Sequence, residues 1–208
     1  MVEIRYPPPT RNIAPQWHDL KAGTIIQRIF DPTSYGGSAT GFRCYGPLSR
    51  FDHQRCEKPK IDNERGILYA GLNLSCCLVE VFGDRETIKI QRQQFAVIKL
   101  KQSLKLLDLR DSGAWNAGCV AALVADGRRR ITQAWSRYFY ENPELYGLVD
   151  GIIFNNAHNQ EEAIALYERA TPQLSSADVS IIDLNDSAIR ETILAIANKL
   201  NLIVEIEP

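Results

Sequence analysis

The chain has 208 residues, 45% of them hydrophobic, enough for one domain with a full core. Its 24 basic and 25 acidic residues leave a net charge of −1, which excludes a general polyanion-binding surface. No apolar run approaches the roughly 20 residues of a membrane span, and the opening stretch, MVEIRYPPPTRNIAP, lacks the apolar segment of a signal peptide.

Residues 1–22 hold four of the ten prolines and are expected to form an extended arm that wraps the domain or a second subunit, with residues 23–208 as the domain itself. TIIQRIF, Thr24 to Phe30, predicts a strand with Arg28 inside it. An arginine set beside Ile29 and Phe30 seeks an anion from the protein or a ligand, unless the strand is an edge that turns it to water. Residues 31–64 are loop-rich. Gly36 to Gly41 imitates the start of a phosphate-binding loop, but Phe42 and Arg43 follow where Lys and Ser/Thr are required. Cys44, His53 and Cys56 fit no zinc spacing. Arg43, Arg50 and Arg55 make the segment basic, either a lid over a phosphate-bearing ligand or a solvated loop.

The next twenty residues, RGILYAGLNLSCCLVEVFGD from Arg65 to Asp84, organise the chain. They predict a strand over 66–70, a turn at Gly71 to Leu74, and a helix capped by Ser75 and stopped by Gly83. Two residues break the apolar pattern, Tyr69 at the strand end and Glu80 within LVEVF. Cys76, Cys77, Gly83 and Asp84 are the helical neighbours of Glu80, and three of them are small, so that face can line a cavity; the alternative is a solvated carboxylate.

Further strands are expected at 95–100 and 104–109. A helix capped by Ser112 is expected to run to about Ala125 and stop at Gly127, placing Arg128 to Arg130 beyond its C-terminus, where positive charge suits the helix dipole. A second helix, 131–140, ends at Asn142-Pro143. The strand VDGIIF, 149–154, delivers Asn155, Asn156 and His158. Residues 163–167 predict a strand or the start of a short helix, and 179–184 a strand. A last helix capped by Asp186 or Ser187 runs to about Leu200, and 202–206 closes the chain as a strand. The pattern is mixed α/β without a glycine-rich dinucleotide fingerprint. Five cysteines, odd in number and without C-x-x-C, suit free thiols in a reducing cytoplasm.

A nucleophilic hydrolase is disfavoured, because there is no G-x-S-x-G and His18, His53 and His158 lack a signature partner. A retaining glycosidase needs two carboxylates, and Glu80 has only Asp84 and Asp150 as weak seconds. One reaction suits a single carboxylate with Arg and Tyr: cleavage of the nicotinamide–ribose bond of NAD. The leaving group departs neutral, so no general acid is required. A fixed carboxylate stabilises the positive charge that develops on the ribose, an aromatic ring holds the nicotinamide, and arginine holds phosphate.

These residues resemble the RES domain family, named for an arginine, a glutamate and a serine. The resemblance covers roughly residues 23–170. It rests on Arg28 in TIIQRIF, Arg50 in SRF, Tyr69 in GILYAG, Glu80 in CLVEVF, and the stretch DGIIFNN. Phe154 stands where the family has Tyr, and Asn156 where it has Ser.

The resemblance implies an α+β, ADP-ribosyltransferase-like fold, a split antiparallel sheet with flanking helices. It implies an NAD glycohydrolase or phosphorylase, with NAD as substrate and no cofactor or metal. Glu80, Arg28 and Tyr69 are the implied catalytic residues, and Arg50, Asn156, Phe154 and Asn155 the substrate-binding ones. The implied role is the toxin of a toxin–antitoxin pair, its partner an antitoxin with a helix-turn-helix part; self-association into a homodimer is also implied. Two other readings remain open from the residues: an ADP-ribosyltransferase acting on a macromolecule, although Leu78 breaks the E-x-E pair such enzymes often use, and a nucleotide- or partner-binding protein without turnover.

Overall fold

The computed structural model describes residues 2–34 and 37–206; Gly36, the first glycine of the loop that imitates a phosphate-binding turn, lies outside them. The elements in chain order are β1 (Trp17–Leu20), β2 (Ile25–Phe30), β3 (Tyr45–Gly46), β4 (Lys60–Ile61), β5 (Ile67–Gly71), α1 (Leu74–Phe82), β6 (Thr87–Ile90), β7 (Gln94–Lys99) and β8 (Leu104–Asp108). There follow α2 (Gly113–Asn116), α3 (Arg129–Glu141), α4 (Pro143–Tyr146), β9 (Gly151–Asn155), β10 (Glu162–Tyr167), α5 (Thr171–Ser175), β11 (Asp178–Asp183), α6 (Ser187–Leu200) and β12 (Ile203–Ile206). Among the described residues no helix is long and apolar enough to cross a membrane.

Eight strands form one mixed sheet in the order β1-β8-β9-β10-β5-β2-β7-β11. Every neighbouring pair is antiparallel except β8 and β9. The sheet is split in its middle. β5 pairs with β10 over five residues and β2 pairs with β7 over six, but β2 and β5 meet through one couple, Gln27 with Gly71. This is the split core of the expected α+β fold, and Arg28 of β2 and Tyr69 of β5 come together at the seam between these strands.

The apolar runs explain the layers. Residues 152–154 of β9 and 163–167 of β10 are buried throughout, because helices or loops cover both faces of the central strands. One face packs against α3 through Trp135 and Phe139, with Tyr146 beside them. The other carries Leu68, Ile153 and Leu166, closed by Leu174 of α5. A third cluster joins α1 to β7 and α6 through Leu78, Phe82, Phe95 and Ile193. The strand reading of residues 163–167 is the one the structure adopts, because β10 sits between β9 and β5 and its backbone is fully laddered.

Four local expectations are corrected. Asn73, not Ser75, caps α1: its side-chain oxygen accepts from Cys76 N at 2.7 Å. The helix expected from Ser112 to Ala125 is only four residues long. Gly118 takes a left-handed φ of +96°, and a Cβ there would meet Pro9 at 2.6 Å. Arg11 of the arm donates to the carbonyls of Trp115 and Cys119, so the arm takes carbonyls where the helix stops. Residues 17–20, within the expected arm, form the edge strand of the sheet. Finally, Arg128 to Arg130 do not follow a helix. Arg128 is the N-cap of α3, and Arg129 and Arg130 occupy its first turn, the end where the dipole disfavours positive charge.

Candidate active site

β5 and α1 form a strand–turn–helix unit that bends sharply at Gly71. A Cβ on Gly71 would lie 3.0 Å from the Cβ of Cys76 and 3.1 Å from the sulfur of Cys77, so glycine lets α1 pack directly on the strand end. The buried face of α1 carries Cys76, Cys77, Leu78, Val79 and Phe82, which leaves Glu80 turned outward into a cleft. That cleft holds about 250 Å³ and lies over the seam of the sheet. Arg28, Arg50, Tyr69, Glu80 and Phe154 all line it, so residues spread over 127 positions of sequence converge.

Arg28 donates to Gly41 O at 2.9 Å from the β2 side. Burial, and less strongly the charge of Arg43, pull its guanidinium down to about 10, so it remains a cation at neutral pH. Glu80 sits among walls that strip water from its carboxyl and raise it above the ordinary carboxylate value. Arg50 and His158 oppose that rise, and Asp84 adds to it. His158 lies 3.5 Å from Asp84 at the cleft wall.

Tyr69 lines the cleft, and its hydroxyl is tied to the loop that carries Arg50. The phenol donates to Asp52 at 2.9 Å and accepts from Phe51 N at 2.9 Å. Burial drives it well above its usual range, so the phenol stays protonated. The cysteines are likewise inert: burial pushes Cys76 up to about 12 and Cys77 further still. Among the described residues lining the cleft, the Tyr69 phenol and the Cys77 thiol stay protonated at neutral pH, and Glu80 and Asp84 are the carboxylates.

Asp52 is a hub that the sequence did not mark. It is completely buried, accepts both Arg43 bonds (2.9 and 2.8 Å), and also accepts from Leu48 N and Ser49 N besides Tyr69. α3 holds the same loop from behind, since Gln133 donates to Ser49 O at 2.9 Å and Ser136 to Phe51 O at 2.7 Å. The ring of Phe51 packs on Phe154 at 4.8 Å. Arg50 therefore rides on a loop fixed at both ends. The only signal for Asp52 in the sequence is its place two residues after Arg50.

Two expected binding residues lie elsewhere. Asn156 is fully buried. Its amide donates to Cys76 Sγ at 3.4 Å and to Asn159, and its oxygen accepts from His158 N and Asn159 N at 2.9 Å. It shapes the turn that carries His158 and does not line the cleft. Asn155 lines a separate hollow with Arg110 and Gln160. Side chains alternate along β9, so Phe154 and Asn155 point to opposite faces.

The chain is an α+β domain, a split mixed sheet flanked by helices with a cleft at its seam lined by Glu80, Arg28 and Tyr69. The RES domain model matches residues 17–189, most of the chain, and the protein belongs to the RES domain family. A comparison with curated proteins finds no match. Among solved structures the chain is similar to the M. tuberculosis MbcT–MbcA toxin–antitoxin complex, at 13% identity and a TM-score of 0.54, covering 83% of this chain and 90% of that one. At that identity the likeness is one of fold.

Proposed function

We propose that this chain breaks the nicotinamide–ribose bond of NAD, as a glycohydrolase or phosphorylase, and serves as the cytoplasmic toxin of a toxin–antitoxin pair. One observation carries the reading: the outward carboxylate of Glu80 shares a cleft with Arg28, Arg50 and the ring of Tyr69. Membership of the RES family and the fold shared with MbcT, seen in its complex with an antitoxin, support an antitoxin partner.

The chemistry needs little else. The C1′–N bond breaks with its electron pair leaving on nicotinamide, which becomes neutral, and positive charge remains on the ribose. Glu80 stabilises that charge. Tyr69 holds the nicotinamide ring, and Arg28 and Arg50 hold phosphate or the ribose side. Water or phosphate then adds to C1′, and water's proton passes to solvent. Asn156 acts through the turn it holds. Leu78, fully buried, leaves no second carboxylate two residues before Glu80, which favours release over transfer to an arginine.

The test is free nicotinamide from NAD with the purified protein, with and without phosphate. Release is expected, and its phosphate dependence names the acceptor; a folded, partner-free protein that releases none would overturn the reading. The rate must also fall in acid as Glu80 protonates. Because burial raises this carboxyl, the midpoint is expected above the ordinary value of 4.5. An acid limb at or below that value would place a different group in control.

A further inference from the structure

Arg128, Arg129 and Arg130 bring three guanidinium groups to the N-terminus of α3, with no acidic residue in its first turn. Local electrostatics disfavour this arrangement, since the helix dipole already makes that end positive. Departures of this kind gather at functional positions. Asp126 relieves only one member, pairing with Arg128 at 2.8 Å. Arg129 turns the other way. One of its nitrogens donates to Leu48 O at 2.9 Å, which fixes the side chain against the loop that carries Arg50, and the residue lines the cleft while remaining exposed.

Three arginines line this cleft: Arg28, Arg50 and Arg129. Arg50 is near enough to Glu80 to oppose the rise of its carboxyl, and Asp126, just before α3, also feels its charge. Arg50 and Arg129 line the same cleft as Glu80, and Arg129 is tied through Leu48 O to the loop that carries Arg50. Ser49, between Leu48 and Arg50, adds a hydroxyl to the same lining.

We propose that Arg129 is a further substrate-binding residue, which with Arg50 forms a cradle for the pyrophosphate of a dinucleotide. This deepens the NAD-cleaving reading and rests on it for the identity of the substrate. The recognised chemistry is two linked phosphates at a distance from the scissile bond, so the cradle selects dinucleotides over nicotinamide riboside. Arg129 holds the end of the substrate that does not react, and its loss affects binding more than the chemical step.

Arg129→Gln keeps length and helix propensity and removes the charge. Three substrates read the cradle: NAD, nicotinamide mononucleotide with one phosphate, and nicotinamide riboside with none. The variant is expected to raise KM for NAD by about tenfold to a hundredfold, the range for one charge-assisted hydrogen bond, with kcat within about twofold. The mononucleotide should show a smaller rise and the riboside none, and Arg129→Lys should recover part of the loss. An equal loss on NAD and on the riboside would overturn the proposal, because Arg129 would then act only through Leu48. Calorimetric titration with ADP-ribose reads the cradle without turnover. Weaker binding by Arg129→Gln supports it, and equal binding, or none by the unsubstituted protein, overturns it. Nicotinamide release separately decides the NAD-cleaving reading, so the two fail by different results.

Discussion

Glu80→Gln is expected to lower nicotinamide release from NAD by about a hundredfold to a thousandfold, the effect of removing one preorganised charge partner of a transition state. Glutamine keeps the shape and the hydrogen-bonding oxygen but carries no charge to set against a ribosyl cation. No neighbour can substitute. Asp84 on the next turn is largely exposed and faces His158, and the Tyr69 phenol and the two cysteines are held protonated by burial. Stability should change little, within about 0.5 kcal/mol, because the Glu80 side chain lies off the packed face of α1 and opens to solvent at the cleft mouth, although the cleft walls partly desolvate its carboxyl. Nicotinamide release and thermal unfolding measured side by side separate the two effects. If the glutamine protein kept more than half the activity, the carboxylate would have no part in the reaction.

Asp52→Ala is expected to cost about 3–5 kcal/mol of folding stability, the range for breaking a buried ion pair on one side. The alanine protein keeps Arg43, whose side chain is only 15% exposed, without its carboxylate. It also strands the amides of Leu48 and Ser49 and the Tyr69 hydroxyl. Every one of those groups would need a new partner in a place that water reaches poorly. Activity should fall as well, since the loop bearing Arg50 and the back of Tyr69 share this anchor. Urea unfolding of the two proteins measures the cost. A loss below about 1 kcal/mol would mean that Arg43 swings to solvent and the loop re-forms without the hub.

The legible part of the site is the part built by local pattern. Tyr69 and Glu80 stand out as polar interruptions in an apolar strand and helix, the fifth and sixteenth residues of one continuous stretch, and the strand–turn–helix unit fixes both. Arg28 stands out for the same reason in β2. What was illegible depends on contacts far apart in sequence. Asp52 looks like any loop aspartate until Arg43, Tyr69 and the loop amides converge on it. The arginine triplet fits the end of one helix as well as the start of the next; only Gly118, turned left-handed against Pro9 of the arm, decides that the earlier helix stops short. Asn156 lies one strand position too far for the cleft, and only the register of β9 against β10 reveals it: Asn155 pairs with Glu162 and the chain then turns.

The seam between β2 and β5 also bears on how such a site survives divergence. Much of the cleft floor is laid by Ala70, Gly71, Ala163 and Ile164, strand residues placed there by topology. Where two strands touch through a single couple and then part, the lining includes Ala70, Gly71 and Ala163, residues with little or no side chain to replace. An alanine scan therefore weighs only the walls of this cleft, and a lineage can rewrite most of its sequence while handing down the floor intact.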